Sequence, residues 1–191
     1  MDYRVEVLSD VPGLWGVPAT ALAELAESFQ LKVYASGSYV CREGEDADRI
    51  YILGDGEVEV LKTSPAGRQF IVANLTPGSL FGHVSLVTHA PRTASVRAKG
   101  EAMVLEMPAI RAQDLVRGGR FEIASPFRRA LIVALSRQLN SATATTMGLA
   151  TDAGVATHAA DAPAAGATPP DGEPPLPPDA TEKLLKAHGQ V

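Results

Sequence analysis

Phe81-Gly82-His83-Val84-Ser85-Leu86-Val87, followed shortly by Pro91-Arg92-Thr93-Ala94-Ser95-Val96, is the stretch on which the reading of this chain turns. Gly82 has no side chain to hold a ligand away from the backbone, and a single helical turn has room to start just after it. The free N–H groups of such a turn, at His83, Val84 and Ser85, face an anion. Arg92 adds a planar guanidinium fork that matches a phosphate, and Thr93 adds a hydroxyl donor. Taken singly, Gly82 serves a turn, Arg92 a surface ion pair and His83 a helix cap. In this order they make a cradle for one singly charged phosphodiester, with Gly82, His83, Val84, Ser85, Arg92 and Thr93 as ligand contacts.

Outward from that stretch the chain has a strand rhythm. Leu31–Ala35, Tyr39–Arg42, Arg49–Leu53, Glu57–Leu61, Gln69–Ala73, Arg92–Ala98 and Ala102–Met107 are short and rich in apolar residues, most of them alternating with polar ones. Turns at Ser36-Gly37-Ser38, Gly54-Asp55-Gly56, Pro65-Ala66-Gly67 and Thr76-Pro77-Gly78 separate many of them. Glycine-punctuated strands of this length predict an all-β barrel or sandwich. Helical spacing marks the flanks. Leu22, Leu25, Ala26 and Phe29 follow Pro18, Ile110 to Val116 forms a short helix, and Ser125-Pro126 caps a long one. On that last helix Phe127, Leu131, Leu135 and Leu139 recur every four residues. Such a seam packs either on its own domain or on a second copy of the chain.

Composition changes near Met147. All ten aromatics lie at or before Phe127, and seven of the fourteen prolines fall between Pro163 and Pro178. A segment so poor in large apolar groups cannot offset the entropy of ordering it, so 147–191 reads as a disordered, acidic Pro/Ala-rich tail. Its end, Asp179-Ala-Thr-Glu182 with Lys183-Leu184-Leu185-Lys186, has the spacing of a capped short helix, either fraying or a docking peptide.

The net charge of −5 speaks against standing DNA or anionic-membrane partners. The N-terminus lacks the basic and apolar regions of a signal peptide, and no apolar run is long enough to span a bilayer, so a cytoplasmic location is expected. Cys41 is the single cysteine, which excludes an internal disulfide and reads as a small core residue. Asp46 and Asp48 lack the rest of a calcium loop and read as a solvated turn, so no metal is expected. No Ser-His-Asp set or P-loop is present, and an enzyme is not expected.

The Phe81–Val96 stretch resembles the phosphate-binding cassette of the cyclic-nucleotide-binding family. That family includes the catabolite activator protein, the regulatory subunits of cyclic-AMP-dependent kinase, and cyclic-nucleotide-gated channels. Its pattern is Phe-Gly-Glu, a small apolar helix, then Pro-Arg-Thr/Ala-Ala-Thr/Ser-Val. The ten-residue step from Gly82 to Arg92 is similar to the kinase-type version. Gly44–Leu53 and Gly56–Val60 also resemble the family's β-roll signature, and the likeness covers about residues 14–145. It implies a mainly β fold: a double-stranded β-helix (a jelly-roll-like β-roll) over 14–146, with an N-terminal helix and a long C-terminal helix. It also implies cyclic AMP or cyclic GMP as an exchangeable ligand, with no resident cofactor. The phosphate would sit on Arg92 and the long helix would cover the purine, where Asn140, Ser141 and Thr143 are candidate base contacts. A protein partner, not identified by the sequence, would read the occupied state. A homodimer through helix 126–146 is a further candidate. The helix-turn-helix of the DNA-binding relatives has no counterpart, because the Pro/Ala tail occupies its place.

One position departs from the pattern. The cassette glutamate, which in the family accepts from the ribose 2′-hydroxyl, is His83 here. Neutral imidazole offers one acceptor where a carboxylate offers two oxygens. Losing a charged acceptor costs about 1.5–3 kcal/mol of binding. Three readings follow: a cyclic nucleotide held in altered form, another phosphorylated ligand, or an empty relic acting as a protein-interaction module. Haem binding near His83 and His89 is a weaker fourth reading.

Overall fold

Strand alternation builds the molecule, because it gives the central strands an apolar side chain for each face. The structure is a computed structural model that describes residues 2–84, 88, 90–118 and 120–151, with backbone alone for 141–151. The strands are β1 (Gln30–Tyr34), β2 (Tyr39–Cys41), β3 (Arg49–Asp55), β4 (Val58–Thr63), β5 (Gln69–Leu75), β6 (Leu80–Phe81), β7 (Ser95–Ala98) and β8 (Ala102–Pro108). They form two antiparallel sheets, ordered β1-β8-β3-β6 and β2-β7-β4-β5. Four helices accompany them among the described residues: α1 (Tyr3–Asp10), α2 (Ala19–Ala26), α3 (Ala109–Arg117) and α4 (Phe121–Thr151). The expected β-roll with helical flanks is present.

Tyr51 and Leu53 of β3 point between the sheets with Val58, Phe81, Val96 and Val104. Ile50 and Ile52 point the other way, into a second cluster with Leu8, Leu25, Phe29, Leu105, Met107 and Phe127. Strand β3 is thus buried on both faces, and helices cover the outer one. The apolar cluster also takes in Val5, Val7 and Leu8, which precede the expected domain start at residue 14. Asp2 caps α1 by accepting from the Arg4 N–H at 3.0 Å.

Helix α4 differs from its expected form. It begins at Phe121, runs to Thr151 and carries Pro126 inside it, so Ser125 is not its cap. Phe127 and Leu131 are buried, Leu135 is half-buried, and Leu139 is exposed. A four-residue step advances about 400° around a helix, so a seam of such steps slides off the core within a few turns. Its first half therefore packs on the domain itself. Residues 152–191, with the expected tail and terminal helix, lie outside the described residues, as do Ser85 and His89. No described helix is long and apolar enough to cross a membrane.

Candidate functional site

Strand β6 ends at Phe81, and Gly82 follows with φ +73°, a left-handed backbone that favours glycine. The reason it must be glycine lies across the site. A Cβ on Gly82 would stand 2.8 Å from Arg92 Nη1 and 2.9 Å from the Tyr51 ring. Gly82 thus makes room for the arginine, a more specific role than the close ligand approach expected of it.

Arg92 itself is 4% exposed. Its Nη1 donates to the Gly82 carbonyl at 3.2 Å, and its Nη2 donates to the Arg49 carbonyl at 2.7 Å and to the Tyr51 hydroxyl at 3.3 Å. Asp48 lies 3.7 Å from Nη2, so this aspartate of the expected solvated turn also serves the arginine. The guanidinium sits 5.1 Å from the Tyr51 ring centroid, and that ring stacks on Phe81 at 5.1 Å. Backbone bonds fasten the segment at both of its polar groups: Arg92 N–H donates to Glu45 O at 2.8 Å, and Gly44 N–H donates to Arg92 O at 2.9 Å. These contacts hold the fork in one orientation while its buried Nε–H has no partner among the described residues. A buried, charged donor without a partner is costly unless an anion completes it.

Next to Gly82, His83 is 4% exposed, and neither imidazole nitrogen has a hydrogen-bond partner among the described residues. Burial alone pulls its pKa down to about 4, so the ring is neutral near pH 7. Val84 is helical and half-buried, and Thr88, also helical, donates from Oγ1 to the Val84 carbonyl at 3.1 Å. Thr93 is exposed.

Gly82, His83, Val84, Arg92 and Thr93 all line one cavity of about 610 Å³. The structure therefore brings together the expected cassette contacts apart from Ser85, which lies outside the described residues. The far wall comes from Val72 and Asn74 on β5 and from Ala130, Val133, Ala134, Arg137 and Gln138 on α4. Lys62 and Cys41 also reach it, so Cys41 is both core residue and cavity wall. Lys62, Arg137 and Gln138 were not singled out in the sequence. Helical phase was the available signal, since 130, 133, 134, 137 and 138 share one face of α4. Asn140, an expected base contact, is exposed and outside the lining, while the side chains of Ser141 and Thr143 are not described.

A smaller polar cavity of about 200 Å³ also borders Arg92, together with Tyr34, Asp48, Arg49 and Glu106. Glu106 is 4% exposed, accepts from the Tyr34 hydroxyl, and pairs with Arg49 at 3.2 Å. Burial and this bond push the Tyr34 phenol well above its ordinary range. The described residues contain no cluster of metal-ligating side chains.

Residues 31–118 match the model of the cyclic nucleotide-binding domain. The chain is 36% identical over 93 residues to a cAMP-dependent protein kinase regulatory subunit of Mycosarcoma maydis, covering 49% of this chain and 18% of that protein. It is 29% identical over 136 residues to a CRP-like cAMP-activated global transcriptional regulator of Mycobacterium tuberculosis, covering 71% of this chain and 60% of that one. The chain thus spans less than two thirds of the length of either relative. Among solved structures, a cyclic nucleotide-binding domain from Methylobacillus flagellatus superposes with a TM-score of 0.68 at 17% identity, over 78% of this chain and 83% of that one. At that identity the likeness concerns the fold.

Proposed function

We propose, for a chain whose residues 31–118 belong to the cyclic nucleotide-binding domain family, that it binds a nucleotide phosphate on Arg92 and passes the occupied state to a protein partner. The observation that carries this reading is the unpartnered Nε–H of a buried, fixed guanidinium at the wall of a nucleotide-sized cavity. The names of the relatives, a cAMP-dependent kinase regulatory subunit and a cAMP-activated regulator, support cyclic AMP or cyclic GMP as the ligand. The protein acts as a regulatory module without chemistry of its own, and the nucleotide exchanges freely instead of residing as a cofactor.

In the proposed pose, the phosphate takes the Arg92 Nε–H and the Thr93 hydroxyl. The sugar then lies beside His83, and the base lies between β5 and α4. Because Ala130, Val133, Ala134, Arg137 and Gln138 form the α4 wall, occupancy bears directly on the position of that helix. Ile132 and Leu139 on α4 are 63% and 68% exposed, which gives a partner or a second copy an apolar surface to read.

The test is thermal melting with and without nucleotide. A ligand that binds only the folded state at about a hundred times its dissociation constant adds about 2.7 kcal/mol, which raises the melting temperature by several degrees. Saturating cyclic AMP or cyclic GMP is expected to produce such a rise. Identical melts at millimolar nucleotide would favour the ligand-free interaction module.

A further inference from the structure

Within the cavity that holds Arg92, the charge is unbalanced. Among the described residues, three cationic side chains line it (Lys62, Arg92 and Arg137), and no carboxylate does. This is in a chain whose net charge is −5. Lys62 is answered from outside the lining by Glu43 at 2.8 Å. Arg92 has only the distant Asp48 at 3.7 Å, and Arg137 has no ion pair among the described residues. A nucleotide with one diester charge on Arg92 would therefore leave Arg137, an exposed cation on the rim of the cavity, without a counter-charge.

The position that would ordinarily carry a carboxylate into this cavity holds His83. Its two nitrogens are buried and have no partner among the described residues, so it repels no anion and offers one N–H donor. Arg92 and Arg137 approach from different elements, one from the segment leading into β7 and the other from α4. The two charges they would neutralise need not share one phosphorus atom.

We propose that this pocket selects a nucleotide carrying two negative phosphate charges over a cyclic mononucleotide carrying one, with Arg92 and Arg137 as the two counter-charges and His83 as the residue that admits the second. This rests on the reading of the cavity as a nucleotide site. Two sources supply that chemistry: a cyclic dinucleotide has two separated diesters, and a 5′-mononucleotide has one doubly ionised monoester.

The experiment is a calorimetric titration of the full chain at pH 7.5 with cyclic AMP, cyclic GMP, cyclic di-AMP, cyclic di-GMP, 5′-AMP and 5′-GMP. It is repeated on His83→Glu and Arg137→Gln. At least one doubly charged nucleotide is expected to bind about tenfold or more tightly than either cyclic mononucleotide. His83→Glu is expected to reverse that order, by placing a carboxylate in the cavity. Arg137→Gln is expected to shrink the ratio, with a change in salt dependence that a purely structural role would not produce. If the cyclic dinucleotides lead, the charges are separated; if the 5′-nucleotides lead, both fall on one phosphate. Cyclic AMP or cyclic GMP binding as tightly as any doubly charged nucleotide would overturn the inference while leaving the nucleotide site intact. No binding of any of the six would overturn both.

Discussion

Replacing Arg92 by alanine is expected to weaken nucleotide binding by about 2–5 kcal/mol, roughly thirtyfold to several-thousandfold, as for other buried charge pairs. The size follows from how the side chain is held. Its Nη atoms are spent on Gly82 O, Arg49 O and the Tyr51 hydroxyl, so the fork is already oriented before ligand arrives. Little side-chain entropy remains to be lost on binding. Alanine removes the charge and leaves two carbonyls without their donor, so stability also falls. Arg92→Lys separates the two effects. It keeps the charge, but one ammonium cannot reproduce a fork that spans Gly82 O and Arg49 O and still leaves a third N–H to donate. Both variants are expected to melt cooperatively and to bind far more weakly than the parent by calorimetric titration. A folded Arg92→Ala protein with parental affinity would place the phosphate elsewhere.

Acidification is expected to destabilise the ligand-free protein through His83. In the folded chain the imidazole pKa is about 4, against 6.5 for a free histidine, because burial penalises its charged form. Between those values the unfolded chain binds a proton that the folded chain does not. Stability therefore rises with pH across this window and is fully present above pH 6.5. As pH falls from 6.5 to about 4, this one residue costs about 3 kcal/mol. Urea unfolding at pH 7.5 and pH 4.5, compared between the parent and His83→Gln, isolates the effect from the carboxylates. The parent is expected to lose markedly more stability than the variant. Parallel losses would mean that the ring is open to water.

The strands and their turns were legible because alternation and glycine punctuation are local signals, and Gly82 and Arg92 were legible as partners because a resemblance joined them. Helix α1 was not read, since Val5 and Val7 alternate as a strand would and the Asp2 cap has no capping-box glutamate behind it. Strand β6 is two residues long, too short to carry any period. The start of α4 was misplaced because Ser125-Pro126 has first-turn chemistry, yet the helix gains an earlier turn by burying Ile123 and Ala124. Its cavity face could not be told from its core face until the packing fixed the phase. For that reason Arg137 and Gln138 line the site where Asn140 had been expected. The Tyr51 ring beneath Arg92 was likewise hidden, for it comes from a distant strand and is indistinguishable from core in a sequence.

The most direct test of the Arg92 site is a calorimetric titration of the parent protein with cyclic AMP and, separately, cyclic GMP. Saturation at one nucleotide per chain, with a dissociation constant below about 1 mM, is the predicted result. Absence of heat and of saturation at several millimolar of either nucleotide would contradict the account.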